Sequence, residues 1–245
     1  MNTMAIEFPS LALHLFDAGA VQIGGPFPLR AGGTSSIYVN VRTTDHHKPG
    51  PLGQDDMYKI VYAMRTLIER SSMNMSYHAV CGVPQAGIPI AEAFWGSQRQ
   101  DERVSFIRLE ERNGEMRIKS IECPPTGRLP ISHILFIDDV LTSGGSILEA
   151  HACVMRRCGG WNMIRKEFQS HALVAVDREQ DGRERLEKMG MGVDSLFTLR
   201  YLLRLYHSLG KIDSGIYEQG MHEFDSIRFI SREIELALTD HGCGD

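Results

Sequence analysis

No apolar run in this 245-residue chain comes near the roughly 18 consecutive residues that a bilayer crossing needs. The opening residues do not read as a secretory signal, because they hold no basic region and the apolar stretch Leu11 to Phe16 contains His14 and stops at Asp17. Basic charge is short as well: 26 Lys and Arg against 31 Asp and Glu leave a formal charge of −5, with no basic face for nucleic acid. The five cysteines, Cys81, Cys123, Cys153, Cys158 and Cys243, are odd in number and form no Cys-x-x-Cys pair, so they read as reduced thiols of a cytoplasmic chain. There is no Gly-x-x-x-x-Gly-Lys loop, no His-Glu-x-x-His, no Gly-x-Ser-x-Gly and no Gly-x-Gly-x-x-Gly. The histidines are scattered, the pair His46-His47 reads as solvated, and no internal repeat or low-complexity tract is found. Asn74-Met75-Ser76 fits a glycosylation acceptor but is uninformative in such a chain.

What is present is enough apolar residue, 42%, to bury one sizeable core as a single α/β domain with additions. Its centre is Ile134 to Met155. Ile134-Leu135-Phe136-Ile137 reads as a strand buried on both faces and closed by the acidic pair Asp138-Asp139. Val140-Leu141 then leads into Thr142-Ser143-Gly144-Gly145-Ser146, with Ser146 as cap of a helix carrying Ile147, Leu148, Val154 and Met155. Gly144 and Gly145 let backbone N–H groups approach an anion, and the helix start directs its open donors to the same point. That is a cradle for one phosphate, with Thr142, Ser143 and Ser146 adding hydroxyls at its rim. A phosphate at close range would repel Asp138 and Asp139, so the carboxylates belong one step away, on vicinal sugar hydroxyls or on Mg²⁺ through water. Phosphate plus diol describes a ribose 5-phosphate.

Phe136-Ile137-Asp138-Asp139-Val140-Leu141-Thr142-Ser143-Gly144-Gly145-Ser146 resembles the phosphoribosyl pyrophosphate (PRPP) motif of type I phosphoribosyltransferases. The competing reading is an ordinary strand–loop–helix corner with a chance acidic pair. Earlier in the chain, Phe27-Pro28-Leu29-Arg30-Ala31-Gly32-Gly33-Thr34-Ser35-Ser36-Ile37-Tyr38 is a turn entering an alternating strand. It is similar to the entry hairpin of orotate phosphoribosyltransferases, Phe-x-Leu-Lys-Ser-Gly followed by Ser-Pro-x-Tyr. The resemblance places Arg30 and Tyr38 over the pyrimidine, with Arg30 keeping the charge of the family's lysine in another shape. A solvated turn residue is the plainer reading of Arg30.

In chain order, Leu11, Leu15 and Ala18 predict a short helix ending at Gly19, and Thr43 to Gln54 a polar loop. Asp55 is the expected cap of an amphipathic helix with Met57, Ile60, Val61, Met64, Leu67 and Ile68 on one stripe. Ala79 to Val83 predicts a buried strand ending in Pro84-Gln85-Ala86-Gly87, with a helix restarting near Ile88, a second anion site suited to a ligand with phosphates at both ends. Cys81 to Ala91 looks like the family's pyrophosphate loop, so Val83, Pro84, Gln85, Ala86 and Gly87, with Arg108, are the expected pyrophosphate binders; Gln85 and Ala86 depart from its Tyr and Lys or Thr, leaving backbone donors. Val104 to Ile107 predicts a strand, and Arg108 to Pro130 a polar connection without apolar periodicity, of the length of a lid. The family carries there a mobile catalytic loop, Arg-Lys-x-x-Lys then His or Tyr and Gly, which closes over the partner subunit's site. Arg108 matches, Leu109 replaces the first lysine and Arg112 the second, with Arg117 and Lys119 further along. His171 to Val176 predicts a strand, and Asp177-Arg178-Glu179-Gln180-Asp181-Gly182-Arg183 resembles the family's Asp-Arg-x-x-Gly-Gly, whose Arg pairs with the orotate carboxylate. A surface ion pair of Arg178 with Glu179 or Asp181 is the alternative. Arg183 to Met189 reads as helix, Val193 to Thr198 as strand and Leu199 to Leu209 as helix, and Phe224, Ile227, Ile230, Ile234 and Leu238 as one face of a last, docked helix.

The resemblance implies a twisted, mainly parallel sheet flanked by helices with a small N-terminal hood. Residues 1–45 would form the hood and base-binding part, 55–205 the PRPP-binding core and 215–245 a C-terminal helical extension. It implies transfer of ribose 5-phosphate from PRPP to orotate by a homodimer sharing the catalytic loop. Asp138, Asp139, Arg108 and Arg112 would be catalytic, Thr142 to Ser146 would bind the 5-phosphate, and Arg30, Tyr38, Thr142 and Arg178 the base. Mg²⁺ would be held mainly by PRPP and reached through water by Asp138 and Asp139. Transfer to another base, or PRPP binding with weak or no catalysis, remain the alternatives.

Overall fold

Two apolar periods, 3.6 along helices and 2 along strands, build the layers of this protein. The computed structural model describes residues 8–28, 34–70, 77–97, 104–123, 131–160 and 164–224. Arg30, Asn74 to Ser76, Cys243 and the helical face Ile227 to Leu238 lie outside the described residues.

Helix α1 (Pro9–Asp17) buries Leu11, Ala12 and Leu15 and turns at Gly19, whose φ is +76°. Strands β1 (Val21–Pro28) and β2 (Thr34–Val39) follow as an antiparallel two-stranded sheet, the hood. Helix α2 (Gln54–Arg70) buries Met57, Ile60, Val61 and Met64 on the expected stripe. Its cap is not Asp55: the Asp56 carboxylate accepts the Gly53 N–H at 2.8 Å, because the third residue past the start is the one that can fold back on the entering chain.

The core continues through β3 (Ala79–Gly82), α3 (Gly87–Gly96), β4 (Ser105–Arg112), β5 (Glu115–Glu122), β6 (Ile131–Leu141), α4 (Gly145–Gly160), β7 (Ile164–Asp177), α5 (Gly182–Lys188), β8 (Gly192–Thr198) and α6 (Leu199–Ser208), with a further helix over 214–224. The sheet order is β5-β4-β3-β6-β7-β8, parallel except for β5. Strand alternation divides the core: Val80, Leu135, Ile137, Leu173 and Ala175 face a layer built from α1, α2, α3 and α6. Cys81, Phe136, Ala172 and Val174 face α4 and α5.

Three expectations are corrected. Strand β6 does not end before the acidic pair but runs to Leu141, pairing Asp138 with Val174 and Val140 with Val176, since a side-chain charge at a strand's solvent end leaves the backbone ladder intact. Helix α4 starts at Gly145, so Ser146 is an exposed first-turn residue rather than the cap. The polar connection after Ile107 is, through Glu122, a β-hairpin, β4 and β5 meeting at Asn113-Gly114. Both turn residues have positive φ, 55° and 75°, the backbone that an Asn-Gly pair supplies between strands. Met116 and Ile118 alternate onto the core and Leu109 is fully buried, a pattern hidden by the charges between them.

Cys81, Cys153 and Cys158 are free and buried on the α4 side of the sheet, and burial pushes the Cys158 thiol up to about 11. Alkylation of the native protein at pH 8, read by peptide mass spectrometry, is expected to spare these three until the chain is unfolded, because the thiolate is the nucleophile. Rapid native labelling of Cys158 would contradict that environment.

Candidate active site

Three chain turns meet at the C-terminal ends of the parallel strands. Strands β3 and β6 are neighbours, yet β3 leads through α3 to β4 on one side and β6 through α4 to β7 on the other. The crevice at such a switch point is where open α/β sheets bind ligands.

On the β6 side, Asp138 is buried and Asp139 half-buried. Asp138 Oδ1 accepts the Asp139 N–H and Asp139 Oδ1 accepts the Val140 N–H, both at 2.9 Å. Burial raises the pKa of both carboxyls, Asp138 well above the usual range, and for Asp138 the charge of Asp139 adds to the shift. The Arg42 guanidinium is near enough to pull both back down. Its own Nε is buried without a partner among the described residues. Arg42 ends the alternating hood strand in sequence, and nothing in its spacing signalled this approach to residues almost a hundred positions away.

Beyond the acidic pair, Thr142, Ser143 and Ser146 are exposed at the mouth of α4, while Gly144, at φ +73°, is buried against Leu186. On the β3 side, the Val83 N–H donates to Ile137 O at 2.9 Å, the Pro84–Gln85 peptide is cis, Gln85 is exposed and Ala86 is buried. No side chain caps the start of α3, so its first-turn donors are open. Gly87 brings that start against β6: a Cβ there would lie 2.3 Å from Ile137 O and 2.9 Å from Asp138 Cα. Two helix starts thus flank the buried Asp138 and the half-buried Asp139.

Arg178 leaves the end of β7 and turns inward. Asp177 accepts from the Glu179 N–H at 2.8 Å and from Arg183 Nε at 3.0 Å, fixing the turn. Arg178 is 6% exposed, donates through Nη2 to Ser35 Oγ at 3.0 Å and lies 3.9 Å from Glu223 Oε1. Its pKa is lowered by burial and raised in part by Glu223. It pairs with neither Glu179, which meets Arg200, nor Asp181; it reaches into the hood. Tyr38, half-buried on β2, packs against Phe27 with ring centroids 5.8 Å apart. Ser35, Ser36 and Glu223 had no role in the sequence reading, and no local pattern links residues separated by 187 or 188 positions.

The hairpin arginines stand apart. Arg108 is paired with Glu92 of α3 and, at 3.4 Å, with Glu122. Arg112 is exposed at the hairpin end, and Arg117 binds Glu115 at 2.6 Å.

No family model matches the chain. An orotate phosphoribosyltransferase from Aeropyrum pernix is 31% identical over 195 residues, covering 79% of this chain and 91% of the relative. The chain belongs to the orotate phosphoribosyltransferase family. Its crystal-structure neighbour from the same organism superposes with a TM-score of 0.57 at 27% identity, covering 83% of this chain and 99% of the other. A uridine 5'-monophosphate synthase from Caenorhabditis elegans is 30% identical over 77% of this chain, which spans only 34% of that longer protein. The type I phosphoribosyltransferase fold, a mainly parallel sheet with flanking helices, is what these family members share with the architecture described above. No helix among the described residues is long and apolar enough to cross a membrane.

Proposed function

We propose that this chain is an orotate phosphoribosyltransferase, moving ribose 5-phosphate from PRPP to orotate with release of pyrophosphate. The observation that carries this is the Asp138–Asp139 pair, one buried and one half-buried, set between the uncapped start of α3 and the glycine turn into α4 at the β3/β6 switch point, a spacing of diol acceptors and anion donors that suits PRPP. Thr142 to Ser146 take the 5-phosphate, Asp138 and Asp139 the ribose hydroxyls, and the backbone of Val83 to Gly87 the pyrophosphate. Arg178 and Tyr38 hold the base, and Arg30 is assigned to it from sequence alone.

Buried carboxylates with raised pKa values fit a cation brought by a ligand, and Asp138 and Asp139 would meet Mg²⁺ of the PRPP complex through water. Bound with the pyrophosphate, Mg²⁺ supplies charge neutralisation for the leaving group. The chain's own part is orientation: it holds ribose and base in line, so that the base nitrogen attacks C1 as the bond to pyrophosphate breaks. A homodimer in the cytoplasm, with the β4–β5 hairpin reaching the partner's site, completes the proposal.

One observation favours a second reading, a PRPP-binding homologue without efficient catalysis. Leu109, in the place of the first lysine, is buried in the core and Arg108 is held by Glu92 and Glu122, so neither of these two positions brings a free cation to the leaving group. Titrating PRPP by calorimetry and then assaying pyrophosphate release across a panel of bases separates the two. Turnover with orotate supports the transferase, turnover with another base alone moves the substrate, and tight PRPP binding without turnover supports the second reading. Arg178→Ala is expected to raise KM for orotate at least about tenfold, as loss of a charge-assisted pair does, while KM for PRPP holds. Equal loss on both substrates would remove Arg178 from the base subsite.

A further inference from the structure

The carboxylate of Glu223, on the helix over 214–224, sits in a site built for such a group. Oε1 accepts from Ser35 Oγ at 2.5 Å, and Oε2 accepts from the Ser36 N–H at 2.8 Å and from Ser36 Oγ at 2.7 Å. Ser35 and Ser36 are 2% and 6% exposed, so these donors are held in place by packing. A hydroxyl has one proton to give, and Ser35 Oγ stands 2.5 Å from Glu223 Oε1 and 2.9 Å from Ile37 O; with the proton on the shorter contact it accepts from Arg178 Nη2 at 3.0 Å, linking guanidinium to carboxylate. Arg178 Nε is left unpaired among the described residues. Ser36 stands where the hairpin pattern has proline, and only a residue other than proline brings the N–H that Glu223 uses.

The helix rests on the hood through small contacts. A Cβ at Gly220 would come within 3.4 Å of Ile37 Cδ1, and Ile216 Cδ1 comes within 3.5 Å of the Cβ position of Gly24. Between hood and helix lies a cavity of about 310 Å³ lined by Ser35, Ser36, Gln219 and Glu223 among others, so the carboxylate site has an opening beside it.

We propose that Glu223 is a tethered carboxylate that keeps the base subsite closed, and that a carboxylated base enters by displacing it from Ser35, Ser36 and the edge of Arg178. The proposal rests on Arg178 as the partner of the base's carboxylate. Two carboxylates on one guanidinium repel each other, and a buried site of this kind does not hold both. The closed arrangement therefore taxes base affinity by the fraction of molecules that are open.

The test uses the full chain as wild type, Glu223→Gln and Ser36→Pro, with steady-state kinetics in orotate and in PRPP. Hydrogen exchange of peptides covering residues 214–224 of the wild type is measured with and without orotate. Glu223→Gln keeps the shape and loses the charge, so KM for orotate is expected to fall about tenfold while KM for PRPP stays. Ser36→Pro removes two of the three donors and is expected to move orotate KM in the same direction. Orotate is expected to speed exchange in the helix. A purely structural tie predicts instead a raised or unmoved orotate KM and a helix indifferent to orotate; either result overturns the proposal. Turnover of orotate with both readouts unmoved defeats the proposal alone. PRPP binding with no response to orotate in turnover or exchange defeats the orotate reading together with it.

Discussion

Gly87→Ala is expected to lower kcat/KM by at least about 10²-fold, the cost of an ångström-scale misplacement of groups around a reacting centre, and to lower stability as well. The added Cβ would meet Ile137 O at 2.3 Å, Asp138 Cα at 2.9 Å and Asp138 Oδ1 at 3.0 Å, and the first two are backbone that no rotamer change can move. Relief requires the start of α3 to retreat from β6, which pulls on the 2.9 Å bond from the Val83 N–H to Ile137 O. Leaving such a buried pair unmade costs about 1–3 kcal/mol, and the better helix propensity of alanine, about 1 kcal/mol in a helix interior, is smaller at a first turn. Gly145→Ala, in the proposed phosphate loop, is the control for stability alone: its Cβ would meet only Ser143 Oγ at 3.7 Å, an ordinary contact. Thermal melts of the two variants check the contrast in stability, and steady-state kinetics of Gly87→Ala the loss of turnover. Wild-type turnover in Gly87→Ala would mean that the approach of α3 to the acidic strand has no part in the reaction.

That contrast shows where sequence reasoning stops. Period-2 and period-3.6 patterns located the central strands and the helices between them, because burial on one or two faces writes itself locally. The acidic pair and its glycine turn were legible for the same reason: all of the groups lie within eleven consecutive residues, Phe136 to Ser146. The hairpin was legible in principle through Asn113-Gly114 and through Met116 and Ile118 alternating with Arg117 and Lys119, but the Glu110-Glu111 pair and the register shift at Arg108/Leu109 break the period, so the stretch reads as a connection. Arg42 beside the aspartates, Arg178 against Ser35 and Glu223 against Ser36 had no local trace. Each depends on how the hood and the helix over 214–224 dock on the sheet, and docking is set by packing of residues distant in sequence. The close approach at Gly87 is of the same kind: glycine is visible in sequence, but the oxygen it makes room for belongs to a strand fifty residues later.

Asp138→Asn is expected to be more stable than the wild type without ligand and nearly inactive. Burial, and then the charge of Asp139, hold the Asp138 carboxyl well above its usual pKa, so the folded state binds a proton more tightly than the unfolded chain. For an acid with a raised folded pKa, stability is greatest at low pH and declines as pH climbs from the unfolded value, about 4, through the folded one. Above the unfolded value the unliganded protein therefore holds the Asp138 carboxyl at a cost that the amide removes, while Oδ1 can still accept the Asp139 N–H. A rise in Tm of about 2–4 °C corresponds to roughly 1 kcal/mol in a domain of this size. His133 and His151 act with the opposite sign, since burial lowers their pKa values and their contribution to stability grows as pH rises. The diagnostic quantity is therefore the difference in Tm between variant and wild type, expected to widen from pH 5 to pH 8 and to vanish toward pH 4. Under the proposed function the same amide gives up the charge assigned to the ribose hydroxyls and to the cation of the PRPP complex, with turnover expected to fall about 10²–10³-fold, as when a preorganised polar group is lost. A variant less stable than wild type at pH 8, or one that turns over normally, would take Asp138 out of both roles.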